Sequence, residues 1–218
     1  GHSEQAIQHL IDARDTQQAA SLLNDLANDF IAEERLGLIE HYADQLPDEE
    51  ILAHPALANA AIIAYSFRRA FTKARHLLTD ARAADKQKSS NWDFAETFLL
   101  AGEDRIAELG VHAGEIENAL VSEDGRFRQA ISLNARAMWL YAKSDFDTAL
   151  NLLLRARSLH DDDHSLFGQA YQEAIHSMVN SAQGRLIEAN AGLTGALRRT
   201  ETNTTGNATA GSVIAAYL

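Results

Sequence analysis

The chain has 218 residues, of which 46% are hydrophobic but only 7% aromatic, and it carries a formal net charge of −12 with no cysteine. Two prolines and 12 glycines cannot supply the turn that an all-β fold needs every 8 to 12 residues or so. The acidic balance opposes a phosphate backbone, and without cysteine there is neither a disulfide framework nor a thiolate metal site.

Gly1-His2-Ser3 has the look of a purification-tag remnant and is set aside. A short apolar helix, with Ala6, Ile7, Leu10 and Ile11 on one face, comes first. Arg14-Asp15-Thr16 offers cap residues for the next helix, in which Ala19, Leu22, Leu23, Leu26, Ala27 and Phe30 recur at the 3.6-residue period. Together they predict a helical hairpin. Leu36 to Leu46 reads as a third helix stopped by Pro47, which has no backbone donor, whereas Pro55 suits a helix start.

Ala56 to Phe67 and Phe71 to Ala84 form the next pair, joined through Arg68 and Arg69, and the polar run Asp85 to Asn91 reads as a loop. Two helices are expected between Trp92 and Val121. Phe94, Thr97, Phe98 and Ala101 share a face with Leu109 beyond them, while Gly102, Gly110 and Gly114 blur the boundaries. After Asp124-Gly125, one stripe runs through Phe127, Ala130, Ile131, Asn134, Ala137, Met138 and Tyr141, and Phe146, Ala149, Leu150, Leu153 and Leu154 build its partner. Phe167, Ala170, Tyr171, Ala174, Ile175, Met178, Val179 and Ala182 make the following stripe, paired with Leu186, Ala189, Asn190, Leu193 and Leu197.

The turn into the second helix recurs. Asp145-Phe146-Asp147-Thr148-Ala149-Leu150 corresponds to Gly184-Arg185-Leu186-Ile187-Glu188-Ala189 at a step of 40 residues, and Arg69 to Ala74 and Asp15 to Ala19 look like earlier copies. Two helices per unit at such a period predict an all-α fold, a tetratricopeptide-like solenoid of helical hairpins. The expected organisation is helical repeats over residues 4–199, a polar linker over 200–211 and the start of a further apolar helix over 212–218. That last helix would leave the stack uncapped, and self-association through the open end is expected.

No phosphate-binding loop, dinucleotide-binding glycine turn or His-Glu-x-x-His motif is present, so neither a catalytic residue nor a cofactor is assigned. His160-Asp161-Asp162-Asp163-His164 brings metal-ligand residue types together, but it reads first as a hairpin loop, with His160 closing one helix and aspartate capping the next; no metal is assigned. Asn203-Thr204-Thr205 and Asn207-Ala208-Thr209 match the glycosylation pattern by chance. With no signal peptide and no apolar run of about 18 residues, the chain is expected in the cytoplasm, with no membrane or direct nucleic-acid partner.

Arg136 and Trp139 flank the apolar stripe of one first helix, and Gln172 and His176 lie at matching positions of the next. In solenoids the first helices line a shared groove, so these four are the candidate ligand or partner contacts; packing between repeats is the competing reading.

Two stretches resemble a known family. Ala6-Ile7-Gln8-His9-Leu10 followed by Ala13 to Leu23, then Leu46-Pro47 and His54-Pro55-Ala56-Leu57, resemble the start of the helical-repeat region in MalT-like, LuxR-type large ATP-binding transcriptional regulators. The resemblance implies a domain whose ATP-binding switch domain, with its ATP, and DNA-binding helix-turn-helix lie elsewhere in a longer protein. It implies an inducer-sensing or partner-binding role acting on that switch domain, and it supplies no catalytic residues. The rival reading is a freestanding repeat scaffold that holds a peptide or helix of a partner.

Overall fold

The structure, a computed structural model, describes residues 2–33, 35–85, 91–119, 126–163 and 166–201. Among these residues there are twelve helices and no strand. The all-α helical-repeat reading therefore holds, and contacts divide the chain into two compact units, Gly1–Glu103 and Asp104–Leu218.

The first unit contains α1 (His2–Asp12), α2 (Thr16–Ala32), α3 (Leu36–Ala43), α4 (Asp48–Leu52), α5 (Pro55–Phe67), α6 (Phe71–Ala84) and α7 (Asn91–Gly102). Helix α5 is its axis. Every residue from Leu57 to Ser66 is buried, as expected of a helix apolar on all sides, and α2, α3, α4, α6 and α7 all pack against it. Its start is held from a distance. Pro55 occupies the first turn, and the side chain of Asn24 on α2 accepts hydrogen bonds from the amides of Ala56 (3.0 Å) and Leu57 (3.2 Å), satisfying two donors that a helix start otherwise leaves open.

The Pro47 region departs from the sequence reading. The third helix ends at Ala43, not Leu46, and a short fourth helix that the sequence did not suggest follows Pro47. The residue before a proline is driven out of the α region, so the chain turns at Gln45 and Leu46. Pro47 is extended (φ −62°, ψ 143°), and Asp48, Glu49 and Glu50 then crowd the first turn of α4, where negative charge suits the helix dipole. Asp44 beside this turn accepts hydrogen bonds from the Tyr65 hydroxyl (2.8 Å) and Lys73. Burial, together with the Asp44 carboxylate, pushes the Tyr65 phenol above its usual range.

The second unit contains α8 (Ile106–Ala119), α9 (Arg126–Ala142), α10 (Phe146–Asp163), α11 (Leu166–Ala182) and α12 (Leu186–Glu201). Leu109 lies on α8, so it is not an extension of the Phe94 stripe on α7. Packing runs from neighbour to neighbour: α9 against α8 and α10, α11 against both α9 and α10, and α12 against α11. Ala130, Leu133, Ala137 and Leu140 of α9, Ala149, Leu152, Leu153 and Ala156 of α10, and Ile175 and Val179 of α11 form its largest buried cluster. Alanine at so many of these contacts lets the helix axes approach closely.

One backbone feature repeats through both units. Arg14, Arg69, Asp104, Ser144 and Gly184 all have positive φ, between 59° and 77°, and each lies two residues before a second helix, α2, α6, α8, α10 or α12. The next residue donates back across the turn, as in Asp15 to Leu10, Ala70 to Tyr65, Asp145 to Leu140 and Arg185 to Asn180, each at 2.9 Å. This is the left-handed helix stop that closes the last carbonyls of a helix. Only at Gly184 does the residue type suit that conformation without strain. Nothing lies within 4 Å of a Cβ added there, so Gly184→Ala should cost about 1 kcal/mol from the left-handed backbone alone. Ser144→Gly, at the matching turn, should shift stability the other way. Urea midpoints move in opposite directions with unchanged m-values if the turn is the cause.

Candidate functional site

The four groove candidates fall in the second unit, Arg136 and Trp139 on α9 and Gln172 and His176 on α11. On α9 the Trp139 ring lies against α8: a Cβ added to Gly110 would come within 2.1 Å of its Cγ. The Lys143 ammonium lies 4.1 Å from the centre of the same ring. Trp139 thus fills the notch that Gly110 leaves in α8. Arg136, three residues earlier, is partly buried.

On α11, Gln172 is only 2% exposed, and His176 belongs to a polar row facing α10 and α12. Glu173, His176 and Asn180 recur at intervals of three and four residues, which aligns them on one helix face. The Glu173 carboxylate is buried, with Arg157 Nη1 of α10 and His176 Nδ1 each 3.8 Å from its oxygens. Gly192 of α12 makes room for it, since a Cβ there would stand 3.1 Å from Glu173 Oε2. Asn180 Nδ2 is 3.2 Å from His176 Nδ1, and Arg185 Nε donates to Asn180 Oδ1 at 2.9 Å. Ser177 Oγ ties the same helix to α12 by donating to the Ala189 carbonyl (2.9 Å). Burial lowers the His176 pKa, with Arg157 and Arg185 adding to the effect and Glu173 opposing it. Arg157 of α10 and His176 thus stand on either side of the buried Glu173 carboxylate.

His160 is the second polar feature, and here the loop expectation is corrected. Helix α10 runs through to Asp163, and His160, far from closing a helix at solvent, is 0% exposed. Its ring is held on three sides. Asn134 Nδ2 of α9 lies 3.3 Å from Nε2, the Phe127 ring meets it edge-on at 6.2 Å between centroids, and Gly168 of α11 lies so close that a Cβ would stand 2.1 Å from Cε1. Desolvation lowers the His160 pKa to about 4. Its Nδ1 and Asn134 Oδ1 are buried with no hydrogen-bond partner among the described residues. The helix continues because a packed imidazole gains nothing from ending it: its contacts come from α9 and α11, not from solvent. His164, the far end of the His160-to-His164 run, lies outside the described residues.

The sequence did place Asn134 inside an apolar stripe, and a buried amide there signals a polar partner across the helix interface. That the partner is His160, 26 residues on, has no counterpart in the periodicity. Glu173 was missed because a lone carboxylate between apolar stripes reads as a solvated residue.

No protein-family model matches the chain, and neither a curated protein nor a solved structure is similar enough to count as a match.

Proposed function

We propose that the chain is a signal-receiving helical-repeat module of a MalT-like, LuxR-type ATP-dependent transcriptional regulator, which binds a small-molecule inducer or protein partner without turning anything over. The observation that carries this reading is the repeated hairpin. The same left-handed stop opens the second helix at Arg14, Arg69, Asp104, Ser144 and Gly184, so that the chain is built of similar helical pairs, an architecture that presents extended binding surfaces. The motifs around Ala6 to Leu23 and His54 to Leu57 support the narrower family reading.

On this reading the module sits in the cytoplasm beside its own ATP-binding domain. A ligand acts by binding one arrangement of the repeats more tightly than another, and only that difference in affinity shifts the switch equilibrium. Arg136, Trp139, Gln172 and His176 remain the residues proposed for contact, with Arg136 and His176 the side chains to test because both are partly exposed.

A thermal-shift screen of metabolites tests the proposal. A ligand at a hundredfold excess over its Kd stabilises the folded state by about 2.7 kcal/mol, which for a chain of this size raises Tm by about 5 to 10 °C. In the full regulator, Arg136→Ala and His176→Ala should each remove that shift and weaken inducible transcription while leaving the ligand-free Tm nearly unchanged. If both variants keep wild-type affinity and induction, the groove assignment is wrong. If the identified ligand leaves transcription unaltered, the regulator reading is wrong.

A further inference from the structure

The hairpins closed at Arg69 and Ser144 match position for position, yet they treat one place differently. Asn59 and Asn134 each lie ten residues before the left-handed stop, and Asp85 and His160 each sixteen after it. Asp85 is partly exposed and accepts from the Trp92 indole at 2.7 Å. The repeat therefore tolerates a partly solvated, charged side chain here. In the second unit the first turn of α11 closes over the same place, so tightly that a Cβ added to Gly168 would collide with Cε1, Nδ1 and Nε2 of His160 alike.

That cage suits the neutral ring alone. Asn134 Nδ2 can only donate, so Nε2 accepts and the ring's one proton sits on Nδ1; with the amide turned, the two roles exchange. Either way ring and amide share one hydrogen bond, and Nδ1 has no partner. A second proton gives the ring two donors and a full charge, and one of those donors still meets nothing, which is costly to bury. None of the residues that meet the ring offsets the charge: Phe127 and Asn134 of α9 and Gly168 of α11 are all uncharged. Arg126 and Arg128, on either side of Phe127 in the sequence, are themselves cations, and Glu173 of α11 stands between Arg157 and His176. The side chains of residues 161–163 lie outside the described residues.

The wall of the cage that yields is α11. The buried cluster of this unit draws every member except Ile175 and Val179 from α9 and α10, and against the ring itself α11 offers only a glycine backbone. We infer that His160 is an acid-operated latch on α11: when the imidazole takes a second proton, α11 leaves α9 and α10 with α12 still paired to it, while α9 and α10 stay packed. Helix α12 packs on α11, with Leu193 and Ala196 against Ala170, so the two move as one hairpin. The inference is independent of the regulator reading, because it concerns packing within the second unit alone.

Hydrogen exchange of the native chain, read by mass spectrometry at pH 7 and pH 5 and corrected for intrinsic rates, tests the latch. A ring that binds its proton near pH 6.5 when α11 is open and near pH 4 when it is closed makes opening about twentyfold more favourable at pH 5 than at pH 7. Protection of α11 and α12 should fall by that factor, and protection of α9 by less than about twofold. His160→Gln should abolish the response in α11, and His176→Gln, on the same helix, should keep it. Equal losses in α9 and α11 overturn the proposal, because the acid effect is then global unfolding. Unchanged protection of α11 between the two pH values overturns it as well. So does a response that survives His160→Gln, or one that His176→Gln abolishes, which moves the switch to the Glu173 row. If His160→Gln fails to fold, the contrast between α11 and α9 in the native chain still decides.

Discussion

Gly168→Ala is expected to lower the unfolding free energy by about 3 kcal/mol, the upper end of what overpacking a close-packed interior costs. The added methyl would stand 2.1 Å from Cε1 and 2.2 Å from Nδ1 of His160, and neither side can yield easily. The imidazole is fully buried in the middle of a helix interface, wedged by Asn134 and Phe127, so it cannot swing into solvent as an exposed side chain would. A double-mutant cycle isolates the contact. In a His160→Ala background the space for the methyl already exists, and Gly168→Ala should then cost less than about 1 kcal/mol. Urea denaturation of the four proteins gives the numbers. If the methyl costs as much without the imidazole as with it, the loss comes from the α11 backbone and the proposed clash is not its source.

The second large effect is on acid stability. His160 is buried as the neutral ring, its pKa lowered by desolvation from 6.5 to about 4. The unfolded chain therefore binds a proton at pH values where the folded chain does not, so stability falls as pH drops. The loss begins near the unfolded pKa of 6.5 and is complete near 4. Converted at 1.36 kcal/mol per pKa unit, this interval corresponds to about 3 kcal/mol. His160→Gln should flatten the profile between those limits, because the amide keeps a polar partner for Asn134 and does not titrate there. A variant that retains the full acid sensitivity would place its origin elsewhere, the partly exposed His176 beside the buried Glu173 being the first alternative.

Both effects concern a site that the sequence describes only in part. The apolar stripes of α2, α5, α9 and α11 could be read because burial on one face repeats every 3.6 residues, and the step between Ala149 and Ala189 showed the repeat. The recurring turn into the second helix could be read as well, but residue type hid its left-handed backbone. Four of its five left-handed positions are Arg14, Arg69, Asp104 and Ser144, where no glycine marks the stop, so the shared backbone emerges only from the dihedral angles. Pro47 was read as an ending when it also opens α4. What surrounds the groove candidates depends on a different signal. Trp139 and His176 occupy equivalent flanks of successive first helices, but which flank meets a neighbour depends on where the small residues lie. Gly110 draws the indole onto α8, while the Glu173 carboxylate and Asn180 hold His176 toward α10 and α12. Stripe positions specify a face, and glycine notches on the facing helix decide what fills it.

The cap that Asn24 places on α5 has a consequence for how the first unit opens. Proteins unfold locally in cooperative pieces, and a peripheral helical pair is ordinarily the first to let go. Here the amides of Ala56 and Leu57 depend on a side chain of α2, 32 and 33 residues earlier in the chain. When α2 detaches, the start of the central helix loses its acceptor at the same moment, and two part-buried donors lose their partner. The fraying of the amino-terminal hairpin is therefore not a private event: it weakens the helix on which α3, α4, α6 and α7 are all packed, so that amide exchange in the central helix should quicken whenever that pair opens.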